Sequence, residues 1–280
     1  MSQNATIAVN QAEVEPRPFL KWAGGKSSIL SEIMSSIPRK FERYVEPFLG
    51  GGAVFFRLTP SCALLSDSNE ELINCYSVVR DRPDDLLRLL GTFSTSKSKF
   101  YEIRKLDPAS LDHLTRAARL IYLNKLCYNG LYRVNKKGQF NTPYGAYKNA
   151  KLADEGTMIA ASSALKHAEL LTADFETVLL ELSQPGDFFY LDPPYPAVGK
   201  YSDFKRYTKA FFNEEDHLRL AKAVYELDKR GNKFLLSNAN HPLILELYSR
   251  FRVKSVEAPR FVNCKGDRRG RVPELLVTNT

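Results

Sequence analysis

The sequence predicts an α/β fold, a doubly wound and largely parallel sheet into which a helical and hairpin segment is inserted. Three observations lead to this expectation. Apolar strand-like runs alternate with helix-like segments, the rhythm changes between residues 81 and 150, and the last two strand-like runs, RFRVKSVEAP and PELLVTN, have no helix between them. Strands joined through helices pair in parallel. We therefore expect the last two strands to form one antiparallel pair at an edge of the sheet.

The first part of the chain begins with a polar segment, residues 1–17, that we expect to be a disordered arm. The stretch FERYVEPFLGGGAVFFRL has the pattern of a short strand, a glycine turn and the start of a helix. CALLSD predicts a second strand, and a helical pattern follows from Asn69 to Arg80.

The middle part has a different character. The segments DRPDDLLRLL, KFYEIRKL and RAARLIYLNKLCYNG have the apolar spacing of amphipathic helices. The polar stretch LYRVNKKGQFNTPYGAYKN alternates like a β-hairpin around Lys137 and Gly138.

The alternation of strands and helices then resumes. AELLTAD, DFFYLD and NKFLLSN predict three further strands, with helices near Phe175–Leu182 and Glu214–Lys229 between them. We therefore expect strands from before and after the inserted segment to belong to one sheet.

Composition limits the function classes. The chain has 280 residues, 44% hydrophobic and 26% charged, which suits one large α/β domain with an insertion. The net charge of +8 favours a polyanionic partner such as nucleic acid. The start has no signal-peptide core and no run approaches a membrane span, so we expect a cytoplasmic protein without membrane contact. The cysteines and histidines are scattered, so we expect no metal site and no disulfide framework.

Two glycine-rich motifs resemble nucleotide-binding loops but are incomplete. GGKSS at 24–28 lacks the glycine that a phosphate-binding loop needs five residues before Gly25, where Leu20 stands instead. GGG at 50–52 departs from the dinucleotide fingerprint at Phe55 and could be a simple tight turn. A nucleotide-hydrolysing protein is therefore not favoured.

Acidic residues end three of the predicted strands. Glu46 ends the first, Asp67 the second and Asp192 the strand DFFYLD, and ligands of such folds bind at the carboxyl ends of the strands. Asp67 is placed to bind ribose hydroxyls, whereas Glu46 would repel a pyrophosphate and attract a cation. S-adenosylmethionine has a ribose and a sulfonium but no phosphate, so the pattern favours it over NAD.

The stretch DFFYLDPPYP at 187–196 combines a buried strand with a stiff turn, because two prolines fix the backbone after Asp192. For a substrate that is the exocyclic amine of a nucleobase, Asp192 and the carbonyl of Pro193 could each accept an N–H, and Tyr195 could stack on the base. The alternative is a strand that simply ends in a proline turn.

Several motifs together resemble the Dam-type DNA adenine-N6 methyltransferases (D12 class, α group). They are FLKWAGGK at 19–26, VEPFLGGG at 45–52, LSDSN at 65–69, YNGLYR at 128–133, DPPY at 192–195 and the R-x-x-V-x-E-L-L-like tail at 269–276. The resemblance implies a Rossmann-like methyltransferase sheet, S-adenosylmethionine as the cofactor and double-stranded DNA as the partner. It divides the chain into a catalytic domain, residues 18–77 and 151–280, and an inserted target-recognition domain, residues 78–150.

The resemblance also implies roles for single residues. The catalytic residues are Asp192, Pro193 and Tyr195. Asp174 would receive the adenine of the cofactor, with Phe175 beside it. The cofactor-binding residues are Trp22, Lys26, Glu46, Phe48, Gly50, Asp67, Asp174, Phe175 and Asp192. The DNA-binding residues are Lys21, Tyr128, Asn129, Leu131, Arg133, Pro143 and Lys148.

Within the insertion, the resemblance implies that Tyr128 and Asn129 enter the duplex and fill the space of a flipped base. It implies GATC or a close variant as the target, contacted by Lys21, Leu131, Pro143 and Arg133. Ala146 stands where some relatives carry a basic phosphate contact. The residue types agree, since tyrosines alternate with basic residues from 128 to 148, a pattern that suits groove and phosphate contacts. A solvated basic loop is the alternative.

Other functions compete with adenine methylation. N4-cytosine or RNA methylation and a non-catalytic DNA-binding protein on the same scaffold are alternatives, and a phosphotransferase is the weakest. Aspartate rather than serine before Pro-Pro-Tyr favours adenine, and the hairpin favours duplex DNA. The sequence is compatible with a restriction system, a phage or a chromosome-marking pathway, and with any oligomeric state.

Overall fold

A computed structural model describes residues 14–135, 137–196, 212–259 and 271–280. Within these residues, seven strands form one sheet in the spatial order β3-β2-β1-β4-β5-β7-β6. The strands are β1 (Arg43–Glu46), β2 (Ala63–Asp67), β3 (Ala168–Thr172), β4 (Asp187–Leu191), β5 (Lys233–Ala239), β6 (Arg252–Pro259) and β7 (Arg271–Thr278).

Five neighbouring strands pair in parallel, and the last two in the chain are antiparallel. β3, β2, β1, β4 and β5 form the parallel part. β7 lies between β5 and β6 and is antiparallel to both. The expected α/β class and the antiparallel edge are confirmed, and the position of β7 inside the sheet is the feature that the pattern did not predict.

Ten α-helices accompany the sheet in the described part of the chain. They are α1 (Leu30–Ser36), α2 (Ala53–Leu58), α3 (Glu70–Asp81), α4 (Pro83–Gly91), α5 (Lys97–Lys105), α6 (His113–Leu126), α7 (Glu155–Leu165), α8 (Phe175–Leu180), α9 (Glu214–Lys229) and α10 (Pro242–Leu247). The sequence pattern did not single out α1, α7 or α10. The small residues of α7, EGTMIAASSAL, give little contrast between an apolar and a polar face.

The sheet is covered on both faces, which explains the unbroken apolar run of β4. Phe188 and Tyr190 pack into the core that contains α2, α3 and α6. Phe189 and Leu191 pack into the core on the opposite face, with α8 and α9. Because alternate residues of a strand point to opposite faces, a central parallel strand has to be apolar at every position.

The inserted segment shares one apolar core with the sheet. Phe100, Tyr122 and Phe140 from the segment belong to the same buried cluster as Phe56 and Tyr76 next to the sheet. The expected boundary between residues 77 and 78 falls inside α3, whose C-terminal turn therefore belongs to both parts. The division into two domains stays a prediction.

The hairpin expected in this segment is shorter than the alternating pattern suggested. Val134 and Phe140 form a single antiparallel bridge around a turn, and a second bridge joins Cys127 to Tyr144. The side chain of Asn135 accepts the backbone N–H groups of residues 137 and 139 and closes the turn. Side-chain hydrogen bonds thus replace part of the strand ladder.

The structure describes only the end of the expected N-terminal arm. Residues 1–13 lie outside the described residues. Arg17 donates from Nε to the Thr157 hydroxyl at 2.9 Å and lies 3.5 Å from the carboxylate of Asp154, at the start of α7. The end of the predicted arm is therefore in contact with the folded chain.

A buried ion pair joins the starts of β1 and β4. Arg43 donates from Nε and Nη2 to the two oxygens of Asp187 at 3.0 and 2.7 Å, and also to the carbonyl of Leu182. The side chain of Asp187 is almost fully buried. These hydrogen bonds and the positive charge of Arg43 compensate a carboxylate that has little access to water.

We expect Arg43→Ala to lower the free energy of unfolding by about 3 kcal/mol, because it leaves the Asp187 carboxylate buried without a cation. Urea denaturation at neutral pH measures the loss. Arg82→Ala is the matched control, since Arg82 pairs with Asp85 at the surface and its removal should cost less than about 1 kcal/mol. Equal losses in the two variants would contradict this account of the Arg43–Asp187 pair.

Candidate active site

Three acidic residues meet at the carboxyl edge of the sheet. Glu46 is the last residue of β1 and Asp67 the last of β2, while Asp192 directly follows β4. β2, β1 and β4 are neighbours, and the chain order reverses between β1 and β4. Open α/β sheets bind ligands at such a switch point, so the structure brings these three predicted residues to one edge.

The Asp192 carboxylate is held from two sides. The Lys26 ammonium lies 2.7 Å from Oδ2, and the Ser237 hydroxyl donates to Oδ1 at 3.0 Å. Lys26 also donates to the carbonyl of Gly24 at 2.6 Å, and its side chain is only 4% exposed. Ser237 in turn shares a hydrogen bond with the hydroxyl of Tyr190. The orientation of the carboxylate is therefore fixed by residues on three different segments.

The turn that follows Asp192 is anchored at both ends. Pro193 is buried, and the Tyr195 hydroxyl donates to Glu274 Oε2 at 2.7 Å. The Lys26 ammonium lies 4.8 Å from the centroid of the Tyr195 ring. The turn presents a carboxylate, a carbonyl and an aromatic ring as one rigid unit.

Burial disfavours the ionised forms of two carboxyl groups at this edge. It raises the pKa of the Asp192 carboxyl, while Lys26 and Ser237 oppose the rise. Burial also raises the pKa of the Glu46 carboxyl well above its ordinary range, although the Tyr44 hydroxyl donates to it at 2.8 Å. Two acids in low-dielectric surroundings favour a proton or a cationic ligand between them.

A glycine turn follows β1 and is hydrogen-bonded to the end of β2. Gly50 has φ +48° and donates its N–H to Asp67 Oδ2 at 3.0 Å, while the N–H of Asn69 binds Oδ1 at 2.9 Å. A Cβ at Gly50 would lie 2.9 Å from the Trp22 ring. The close approach of Trp22 and the left-handed backbone both require glycine here. Burial raises the pKa of the Asp67 carboxyl, and the two N–H groups oppose the rise.

An aromatic cluster lies beside the acids. Phe48 stacks on Phe175 with ring centroids 5.4 Å apart, and Phe212 contacts the rings of both. Asp174 precedes Phe175 and caps α8 by accepting the N–H of Glu176 at 2.9 Å. The structure thus places Asp174 and Phe175 together with Phe48, at the carboxyl end of β3.

The residues before Trp22 are tied to the inserted segment. The backbone N–H and carbonyl of Lys21 both bond to the side chain of Asn124 in α6, at 2.9 and 2.7 Å. Asn124 is completely buried and also donates to the carbonyl of Gly130. The ring of Trp22 stacks on Tyr132 at 5.1 Å. One asparagine therefore fixes Lys21 relative to the Tyr128–Gly130 turn.

The predicted DNA-binding side chains lie mostly at the surface. Tyr128 is 54% exposed and Leu131 39% exposed, and Asn129 between them has φ +55° in a short 3₁₀ turn. Pro143, whose carbonyl accepts the N–H of Tyr128 at 2.8 Å, and Lys148 are exposed as well.

Arg133 differs from these residues. It is half-buried and donates from Nε to the Asn141 side chain at 2.8 Å. This bond orients the guanidinium while its Nη groups have no hydrogen bond to the described residues. An arginine held through Nε keeps the four N–H donors of its two Nη groups for a partner.

Several contact residues were not found from the sequence. Ser237 carried a signal, because NKFLLSN ends an apolar strand with polar residues at the same edge as Asp192. Asn124 carried one too, as an uncharged polar residue within the apolar part of α6. Glu274 belongs to the tail motif at 269–276, which did not indicate its contact with Tyr195. Phe212 and Arg219 carried no signal, because their contacts with Phe175 join segments far apart in the chain.

The described ranges contain neither a metal-binding cluster nor a membrane-spanning helix. No group of three or more histidine, cysteine, aspartate or glutamate side chains is arranged there to hold a metal ion. No helix of the described part is both long and apolar enough to cross a membrane.

Comparison with known proteins gives a consistent result. Residues 22–261 match the family model for D12 class N6 adenine-specific DNA methyltransferases. The Type II methyltransferase M.MjaIII of Methanocaldococcus jannaschii is 43% identical, over 95% of this chain and 100% of that protein. A Type II methyltransferase of Lactococcus lactis subsp. cremoris is 41% identical, over 95% and 96%. The DNA adenine methylase of Escherichia coli is 32% identical, over 93% and 94%.

We expect Lys26→Met to raise the pKa of the Asp192 carboxyl further, because burial then acts without an opposing cation. A carboxyl whose pKa is higher in the folded than in the unfolded state gives stability at low pH that is lost as the pH rises through the folded pKa. The variant should therefore lose more stability, relative to wild type, at about pH 7 than at about pH 4.

Urea denaturation at both pH values measures this difference. Lys99→Met is the control, because Lys99 pairs with Glu102 at the surface and its loss should be small and nearly independent of pH in this range. A Lys26→Met loss that is the same at both pH values would show that the ion pair does not hold Asp192 in its charged form.

Proposed function

The chain belongs to the D12 class N6 adenine-specific DNA methyltransferase family, and we propose from this premise that it transfers a methyl group from S-adenosylmethionine to adenine N6 in double-stranded DNA. The proposal includes GATC or a close variant as the target and base flipping as the route to the target adenine. The observation that carries the proposed chemistry is the Asp192–Tyr195 turn, fixed by Lys26, Ser237 and Glu274 at the switch point of the sheet.

The residues of the carboxyl edge fit S-adenosylmethionine. Asp67 offers carboxylate oxygens to the ribose hydroxyls, and the buried Glu46 and Asp192 favour a cation nearby. Phe48 and Phe175 offer aromatic faces to the adenine ring, with Asp174 as an acceptor for its amine. Trp22, Lys26 and Gly50 shape the loops around this edge. When bound, the cofactor supplies an electrophilic methyl group on its sulfonium.

The turn residues would activate the target amine. The lone pair of adenine N6 is delocalised into the ring, so N6 is a weak nucleophile. Asp192 would accept one N–H and the carbonyl of Pro193 the other, which directs the lone pair out of the ring plane, while Tyr195 stacks on the base. The raised pKa of Asp192 makes its carboxylate a suitable acceptor for the proton that N6 loses. Much of the rate would come from positioning.

The exposed turn of the insertion supports base flipping. An adenine inside a duplex cannot reach the Asp192 turn unless it leaves the base stack. Tyr128 and Asn129 lie at the tip of a turn that is braced by Pro143 and Asn124. We propose that these two side chains enter the duplex and occupy the space of the flipped base.

The same surface offers side chains suited to GATC. Arg133 could pair with guanine O6 and N7, and Leu131 and Pro143 are suited to the thymine methyl group. Lys21, fixed through Asn124, would contact the first guanine. Lys148 would contact phosphate, in keeping with the net charge of +8.

The relatives also support a biological context. Two proteins that this chain matches over at least 96% of their length are named Type II methyltransferases. We propose that the chain is likewise the modification enzyme of a restriction-modification system. Digestion of treated DNA with methylation-sensitive and methylation-dependent nucleases, followed by nucleoside mass analysis, tests the base and the target together. A product of N4-methylcytosine would contradict the proposal.

We expect Asp192→Ala to abolish methyl transfer and to leave duplex binding largely intact, because the phosphate contacts that dominate DNA affinity lie elsewhere. Transfer of labelled methyl groups and a DNA-binding titration measure the two properties. Asp84→Ala, a change of an exposed aspartate on α4, is the control and should retain both. Near-normal turnover by Asp192→Ala would rule out the proposed mechanism.

We expect Arg133→Ala to lower the free energy of discrimination at the guanine that Arg133 contacts by about 1–3 kcal/mol. Selectivity should relax at that base pair alone. Lys148→Ala, which removes a phosphate contact, should instead weaken activity evenly on all sequences. Single-molecule sequencing of DNA methylated by wild type and both variants separates the two patterns. An even loss with Arg133→Ala, or wild-type marks at sites without a central A-T step, would exclude the base contact.

A further inference from the structure

Arg219 joins α9 to the start of α8 through two carboxylates, and it also pairs with a third on its own helix. Its Nη2 lies 2.9 Å from Asp174 Oδ1 and 2.8 Å from Glu176 Oε2, and its Nη1 lies 2.9 Å from Asp216 Oδ1. The side chain is 36% exposed, and ion pairs at that exposure contribute little to stability.

Among the described residues, the hydrogen bonds to the Asp174 carboxylate all reach one of its oxygens. Oδ1 accepts both the backbone N–H of Glu176 and Nη2 of Arg219. No hydrogen bond from the described residues reaches Oδ2. Two donors on one oxygen fix the rotation of the carboxylate, so the second oxygen keeps a set direction and a full capacity to accept. With a side chain 47% exposed, Asp174 is accessible to a ligand.

The same guanidinium also contacts the neighbouring aromatic ring. Its central carbon lies 4.9 Å from the centroid of Phe175, and Phe175 in turn stacks on Phe48. Arg219 therefore touches both residues that the family resemblance places at the cofactor's adenine. A fixed acceptor next to a stacked aromatic face is a suitable site for a flat ring that carries an amine.

We propose that Arg219 is a positioning residue of the cofactor site, which sets Asp174 Oδ2 to accept the exocyclic amine of the cofactor's adenine. The inference rests on the proposed use of S-adenosylmethionine and deepens it. It assigns to Arg219 the selection of an adenine ring over the same ring with a carbonyl in place of the amine. Phe175 would supply affinity for either ring, whereas Asp174, oriented by Arg219, would distinguish them.

The test compares two ligands that differ at the amine position and in the protonation of the neighbouring ring nitrogen N1. S-adenosylhomocysteine carries the amine, and S-inosylhomocysteine carries a carbonyl oxygen that cannot donate to Asp174. Calorimetry on the full chain should show wild type binding the first at least about tenfold more tightly, the size expected when a charged acceptor loses its donor. In Arg219→Ala, this ratio should fall towards one, chiefly through weaker binding of S-adenosylhomocysteine.

Two further variants make the result specific. Arg219→Lys keeps a positive charge but cannot span three carboxylates, so its ratio should be intermediate. Arg230→Ala is the matched control, because Arg230 also joins α9 to the α8 region, through the Leu180 carbonyl at 2.7 Å and the Ser183 hydroxyl at 2.9 Å. Its ratio should equal that of wild type. Thermal unfolding confirms that each variant is folded.

The outcomes separate this inference from the proposed function. If Arg219→Ala weakens both ligands by the same factor, or leaves both affinities unchanged, the positioning role is wrong. If wild type binds both ligands equally, Asp174 does not recognise the amine, while the proposed cofactor stands. If wild type binds neither ligand, the proposed use of S-adenosylmethionine fails and this inference fails with it.

Discussion

The buried ion pair between Lys26 and Asp192 is the contact on which the arrangement of the site depends. It joins a loop before the first strand to the turn after the fourth strand. Because neither group has much access to water, the loss of one partner leaves an uncompensated charge, and the pair resists separation. The loop also carries Lys21, which Asn124 fixes to the insertion. The insertion and the Tyr195 turn are therefore coupled through one short segment of backbone.

The carboxyl edge contains more buried acid than a structural role requires. Burial raises the pKa of Glu46, Asp67 and Asp192 alike, so their ionised forms are less stable there than in water. Such a site lowers the stability of the free protein at neutral pH and gains from a ligand that brings hydroxyl donors or positive charge. The unfavourable electrostatics of this edge and its preference for nearby positive charge are two results of the same burial.

Local signals allowed much of the fold to be predicted. β4 was found because a strand buried on both faces is apolar throughout, and α3 and α9 because their apolar residues recur at helical spacing. The acids at the strand ends followed from the topology. The contacts of Ser237, Glu274 and Arg219 could not be predicted, since each depends on which strands and helices become neighbours. The length of the hairpin was overestimated, because an alternating pattern does not show where side-chain hydrogen bonds replace the backbone hydrogen bonds of the strand pair.

The position of β7 has a consequence for folding during synthesis. β7 is the last strand of the sheet to leave the ribosome, yet it lies between β5 and β6. Until it arrives, β5 has an open edge and β6 has no neighbour in the sheet, and the Asp192–Tyr195 turn lacks the Glu274 carboxylate that binds the Tyr195 hydroxyl. Because β7 supplies Glu274, the tyrosine cannot acquire this contact before β7 has been synthesised. The fold thereby delays a competent site until β7 has been synthesised.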